Sequence, residues 1–100
     1  SYRAALSLIR EKQPGAKLVW ATSTPLNTED SAKSEKVARL NAAARRAASD
    51  VGGIDEDDLY SLVNPLDRRT YWVDMHHYTH AGYELLASQV VERVSTALAK

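Results

Sequence analysis

Residues 16–25 read "AKLVWATSTP", and the core of this stretch, Leu18-Val19-Trp20-Ala21, is continuously apolar rather than alternating. A strand with one wet face alternates, whereas a strand covered on both faces does not, so this run predicts a buried strand of a parallel sheet. The hydroxyls of Thr22, Ser23 and Thr24 follow at its carboxyl end, before Pro25. Ligands of open α/β sheets bind outside that end, which makes Thr22 and Thr24 candidates for lining a cleft. The structural alternative is that these hydroxyls bond nearby backbone in a turn.

Upstream, Tyr2, Ala5, Leu6 and Ile9 follow the i, i+3, i+4, i+7 rule, and Pro14-Gly15 stops the pattern, which predicts a helix ending in a turn. Downstream, Leu26 to Ser34 is polar and reads as a loop. Val37, Leu40, Ala44, Ala47 and Val51 then mark one face of a second helix, with Gly52-Gly53 as its stop. Ile54 to Asp58 reads as a brief, weakly encoded strand, and Asp58 as the cap of a short helix. Thr79 caps a last helix, in which Tyr83, Leu86, Ala87, Val90, Val94, Ala97 and Leu98 line one side. Helix, strand, helix, strand, helix implies a βαβ unit. Two strands alone would leave a ladder edge and helix faces bare, so the expectation is part of a larger α/β domain, or a chain that docks on a partner.

Composition narrows the partners. Thirteen basic and 13 acidic side chains give a formal charge of +0, so nothing draws the 100-residue chain towards nucleic acid or an anionic membrane. No apolar run reaches the ~18 residues of a membrane span, and no signal segment is visible. Absence of cysteine removes disulfides, thiol nucleophiles and thiolate metal sites, and leaves the compartment open.

The chemistry concentrates in "VDMHHYTHAGY", residues 73–83, where Asp74, His76, His77 and His80 crowd together. Two readings compete with a merely polar helix entrance. His76 and His80 stand four apart and Asp74 offers an oxygen, but no glutamate occupies the register of a zinc protease motif. Asp74 and His77, three apart in one loop, suit a carboxylate that fixes the tautomer of a general base. Trp72, beside Asp74, is the better of the two tryptophans for a pocket wall, with core packing as its alternative.

The string "VDMHHYTHAGYELLASQVV" resembles the last block of the SGNH (GDSL-like) hydrolases, with Asp74, His77, Ala81, Gly82 and Tyr83 in register. "GAKLVWATSTPL" resembles the family's penultimate strand, "LNAAARRAASDVGG" its following helix and "IDEDDLYSLV" its last strand and turn. The resemblance implies the C-terminal part of a flavodoxin-like three-layer α/β/α sandwich with a parallel sheet, residues 1–100 forming one portion of a single domain. It also implies an acyl or acetyl esterase of the serine type, in which Asp74 orients His77 and His77 serves as base and then acid. No cofactor is implied, and an acetylated carbohydrate is one substrate the family suggests.

The third triad member and the oxyanion donors are not encoded here. No Gly-Asp-Ser and no Gly-x-Asn-Asp segment occurs, and Ser7, Ser23, Ser31, Ser34, Ser61 and Ser88 lack the expected setting. The resemblance therefore places serine, glycine and asparagine in an N-terminal half absent from these residues. Met75 stands where the family commonly has glycine, which forbids a glycine-only backbone there. Two other readings remain: an interaction module that exposes a sheet edge, and a His/Asp metal module.

Overall fold

A computed structural model describes residues 1–100 and places seven elements in chain order: α1 (Tyr2–Lys12), β1 (Leu18–Ala21), α2 (Ser31–Val51), β2 (Ile54–Asp57), α3 (Leu59–Val63), α4 (Arg68–Tyr71) and α5 (His80–Leu98). Local chemistry sets most of the boundaries. Ser1 caps α1 through its hydroxyl, Asp30 caps α2, Asp58 caps α3, Asp67 caps α4 and Thr79 caps α5, each accepting a backbone N–H of the first turn. The α2 cap lies four residues before the expected end of the loop, because Asp30 supplies its carboxylate to the Ala32 N–H at 3.0 Å. At the far end of α2, Gly52 and Gly53 adopt φ of 81° and 66°, a region that side-chain-bearing residues avoid. Arg10 reaches over from α1 and donates to the carbonyls of both glycines, at 2.9 and 3.1 Å, fastening the end of α1 to this turn.

β1 and β2 pair in parallel, with Leu18 opposite Ile54, Trp20 opposite Glu56 and Ala21 opposite Asp57. Alternation along the strands sorts the faces. Trp20 and Ile54 point to α1 and α2, where Leu6, Ala47 and Ala48 complete a small core. Truncating a buried tryptophan of this kind costs about 3–5 kcal/mol. Asp55 and Asp57 point the other way, to α5: Gln89 donates to Asp57 at 2.9 Å and Lys100 binds both oxygens of Asp55 at 2.9 Å. A second core holds Val63, Trp72 and Tyr78, with Leu62, Leu66, Tyr71 and Leu86 around them.

The expected three-layer flavodoxin-like sandwich with a multistrand sheet is overturned. Sixty residues are helical, and the sheet has only two strands of four residues each. The reason lies in the chain itself: residues 18–21 and 54–57 alone form a ladder, and nothing else pairs with them.

This narrow sheet changes what α5 buries. Its inward stripe is Gly82, Leu86, Gln89, Arg93 and Ala97, while Tyr83, Val90, Val94 and Leu98, expected to face inward, are exposed. On that inward stripe Gln89 bonds Asp57, Lys100 just beyond the helix end bonds Asp55, and two strands do not extend beneath the apolar side of α5. The close approach at its first turn depends on Gly82. A Cβ there would meet the Tyr71 carbonyl at 2.7 Å and Tyr78 Cβ at 2.9 Å. Gly82→Ala is thus expected to destabilise the chain by about 1–3 kcal/mol, lowering the melting temperature by roughly 5–20 °C in a calorimetric scan. An unchanged melting temperature would show that the α5 start moves freely.

Candidate functional site

Between α4 and α5 the chain turns back on itself. The N–H of Thr79 donates to the Tyr71 carbonyl at 3.0 Å and that of Val73 to His77 at 2.9 Å, while Trp72 and Tyr78 form an antiparallel bridge. The result is a small hairpin whose base is anchored by two rings. Trp72 and Tyr78 are buried with centroids 4.8 Å apart, and the Arg68 guanidinium sits 4.2 Å above the indole. The tip, Asp74 to His76, projects into solvent.

Asp74 organises that tip. Its Oδ1 accepts the backbone N–H groups of His76 and His77 at 2.8 and 2.7 Å, the aspartate turn that this residue type favours in loops. The same carboxylate meets His77 Nδ1, with Oδ1 at 3.0 Å and Oδ2 at 2.9 Å. The His76 N–H foremost, then the His77 N–H and the imidazole, hold the Asp74 carboxyl down at about 2. The ionised carboxylate assigns the proton of a neutral His77 ring to Nδ1, which leaves the Nε2 lone pair free. Nε2 meets no group of the chain, and the His77 side chain is 66% exposed. Met75 fits the turn without positive φ, so the position needs no glycine.

A second element steadies the tip from outside. In the loop that leaves the carboxyl end of β1, the Asn27 N–H donates to the Met75 carbonyl at 3.0 Å, and its amide reaches the Asp74 carbonyl at 3.4 Å. Asn27 lies in the polar stretch 26–34, which the sequence marks only as a loop. The signal that could have found it is an asparagine just beyond a Thr-Pro strand ending, on the side of the sheet where ligands bind.

The other expected residues part company. Thr22 is buried: its N–H extends the ladder to Asp57, and its hydroxyl accepts from the Tyr60 N–H at 2.8 Å and donates to Asp58 at 3.3 Å. Those bonds occupy the hydroxyl in structure and leave no surface for a ligand. Trp72 likewise belongs to the core and walls no open pocket. Thr24 is half-buried, with its hydroxyl close to that of Tyr78. Burial raises the Tyr78 phenol above its ordinary value, and Thr24 pulls the other way without completing a hydrogen bond. His80 turns to Glu84 on α5 at 2.9 Å, so His77 and His80 serve different carboxylates and no three potential ligands converge on a metal position.

No serine hydroxyl hydrogen-bonds to His77. No family model matches the chain, and no curated protein matches it either. No helix is long and apolar enough to cross a membrane.

The depressed Asp74 pKa has a sign. Its folded value lies below the ordinary 3.8, so its stabilising effect is complete at neutral pH and is lost as pH falls from about 4 through about 2. In carbon-detected NMR the Asp74 carboxyl is expected to titrate near 2. The stability gap between the parent and Asp74→Asn, read from urea unfolding, should narrow over the same window; a carboxyl midpoint near 4 would dissolve the proposed turn.

Proposed function

We propose that Asp74 and His77 are the orienting carboxylate and the general base of a serine ester hydrolase, acting on a hydroxyl supplied from outside these 100 residues. The observation that carries this reading is the asymmetry of the His77 ring: Nδ1 is tied to Asp74 while Nε2 is free and outward. The resemblance of residues 73–91 to the last block of SGNH hydrolases supports it independently of the geometry.

The chemistry follows from the tautomer. As the serine Oγ attacks the acyl carbon, its proton passes to His77 Nε2, and Asp74 stabilises the imidazolium. Collapse of the tetrahedral oxyanion breaks the C–O bond to the alcohol, and Nε2 returns the proton to the leaving oxygen. Water then repeats both steps on the acyl-serine, releasing the acid and restoring the hydroxyl. Donors for the oxyanion must come with the serine, from a segment that also brings glycine and asparagine; losing one such donor typically lowers the rate ~100-fold or more. Acetyl or other short acyl esters, including acetylated carbohydrates, are the substrate class that the resemblance favours.

The reading is tested in the polypeptide that carries both the pair and the hydroxyl. With p-nitrophenyl acetate, His77→Ala is expected to lower kcat by about 10²–10⁴-fold, the range for a lost general base. Asp74→Asn should reduce kcat with little change in KM, since it alters the proton on the ring rather than the binding of the ester. An undiminished rate in His77→Ala would remove the residue from the reaction.

A further inference from the structure

The carboxyl ends of the strands lead to the Asn27 loop and the Asp74–His77 hairpin. At their amino ends, where Leu18 and Ile54 begin β1 and β2, lies a cleft of ≈ 490 Å³. Arg10, Lys17 and Lys100 line it together with a single carboxylate, Asp55. The formal charge of the cleft is therefore +2, in a chain whose total is +0. The four charges come from α1, the segment before β1, β2 and the end of the chain beyond α5. The excess is thus made by the fold, and no single stretch of sequence displays it.

Hydrogen bonding divides the cations. Lys100 is committed to Asp55, meeting both of its oxygens at 2.9 Å, and the two neutralise each other. Arg10 is half-buried and held by Nη2 alone, which donates to the Gly52 and Gly53 carbonyls. The absent side chain of Gly53 lets the guanidinium lie close over the backbone, with Nη1 3.2 Å from where a Cβ would stand. Arg10 Nε is buried without an acceptor and Nη1 donates to none, so this cation is under-bonded for its burial. Lys17 is exposed and takes part in no ion pair.

Two uncompensated cations fit a doubly charged anion. A phosphate monoester carries roughly −1.5 to −2 charge near neutral pH and three terminal oxygens, enough to meet Arg10 Nη1 and the Lys17 ammonium together. A carboxylate carries one charge and would leave the other cation unanswered. Leu18 and Ala97 add carbon surface beside the charges, and the volume falls within the ~300–1,000 Å³ of small-molecule sites, which favours an ester with an organic group over a bare ion. We propose that the cleft at the amino ends of β1 and β2 binds a small organic phosphate monoester, its phosphate between Arg10 and Lys17 and its organic group against Leu18 and Ala97. This inference is independent of the Asp74–His77 reading, whose residues are reached from the opposite ends of the strands.

The probes are phenyl phosphate, inorganic phosphate and benzoate, each titrated at fixed ionic strength into the 15N-labelled chain. Phenyl phosphate is expected to give saturable shifts of the Lys17, Leu18 and Gly53 amides, with inorganic phosphate weaker and benzoate weaker still. Lys17→Glu, at an exposed position, is expected to weaken phenyl phosphate binding at least tenfold. Lys36→Glu makes the same change of charge near the start of α2, away from the cleft, and should bind as the parent does. If Lys17→Glu disturbs folding, Lys17→Ala keeps the test intact and is expected to weaken binding about fivefold. Absence of saturable shifts, or equal weakening by Lys17→Glu and Lys36→Glu, would overturn the proposal. Benzoate that binds as tightly as phenyl phosphate would overturn the dianion, and inorganic phosphate that does so would overturn the ester.

Discussion

The pairing of β1 with β2 is the constraint on which the rest of the molecule depends. It brings residues 36 apart in sequence into register and sets which side chains meet α1 and α2 and which meet α5. It also fixes where β1 ends, with Thr22 bonded to Asp57 and Tyr60, and hence where the following loop departs. That loop delivers Asn27 to the back of the Asp74–His77 tip. One link from fold to candidate site thus runs through a ladder of four residues and a single asparagine, beside the packing of Trp72 and Tyr78 in the second core.

The energetic character of the site differs from that of its support. Trp72, Tyr78 and Val63 are buried and act by packing, whereas Asp74 and His77 are exposed, where an ion pair by itself contributes little. What holds Asp74 in place is chiefly its two backbone N–H donors, which act over short distances and need no low-dielectric surroundings. The imidazole is oriented but not enclosed. In the reaction proposed for this pair, exclusion of water, which strengthens electrostatic effects, would have to come from the segment that supplies the hydroxyl.

Much of this was legible in the sequence because the signals were local. The strand at 18–21, the Gly52-Gly53 stop and the Asp58 and Thr79 caps each act through neighbours in the chain and each appears where its chemistry places it, although the strand is not covered on both faces as expected: only Trp20 is buried and Ala21 is exposed. The proximity of Asp74 and His77 was legible for the same reason. Failures arose where the outcome depended on distant partners. Both strands were read from their own patterning, but the multistrand sheet around them came from a resemblance, and the structure has only those two. The inward side of α5 carries Gln89, which meets Asp57 on a strand 32 residues away, a pairing that periodicity within the helix does not report. Thr22 and Trp72 carry residue types suited to a cleft, yet both are consumed by bonds and packing that only the tertiary arrangement reveals.

The hairpin that presents the pair closes over very few residues. From the Tyr71 carbonyl to the Thr79 N–H, every bond that shapes it except those from Asn27 spans nine positions or fewer. Ring closure over so short a distance carries a small entropic cost and proceeds on the timescale of local chain motion, ahead of the long-range joining of β1 to β2. The Asp74–His77 geometry is therefore of low contact order, and it can assemble before the sheet that later buttresses it.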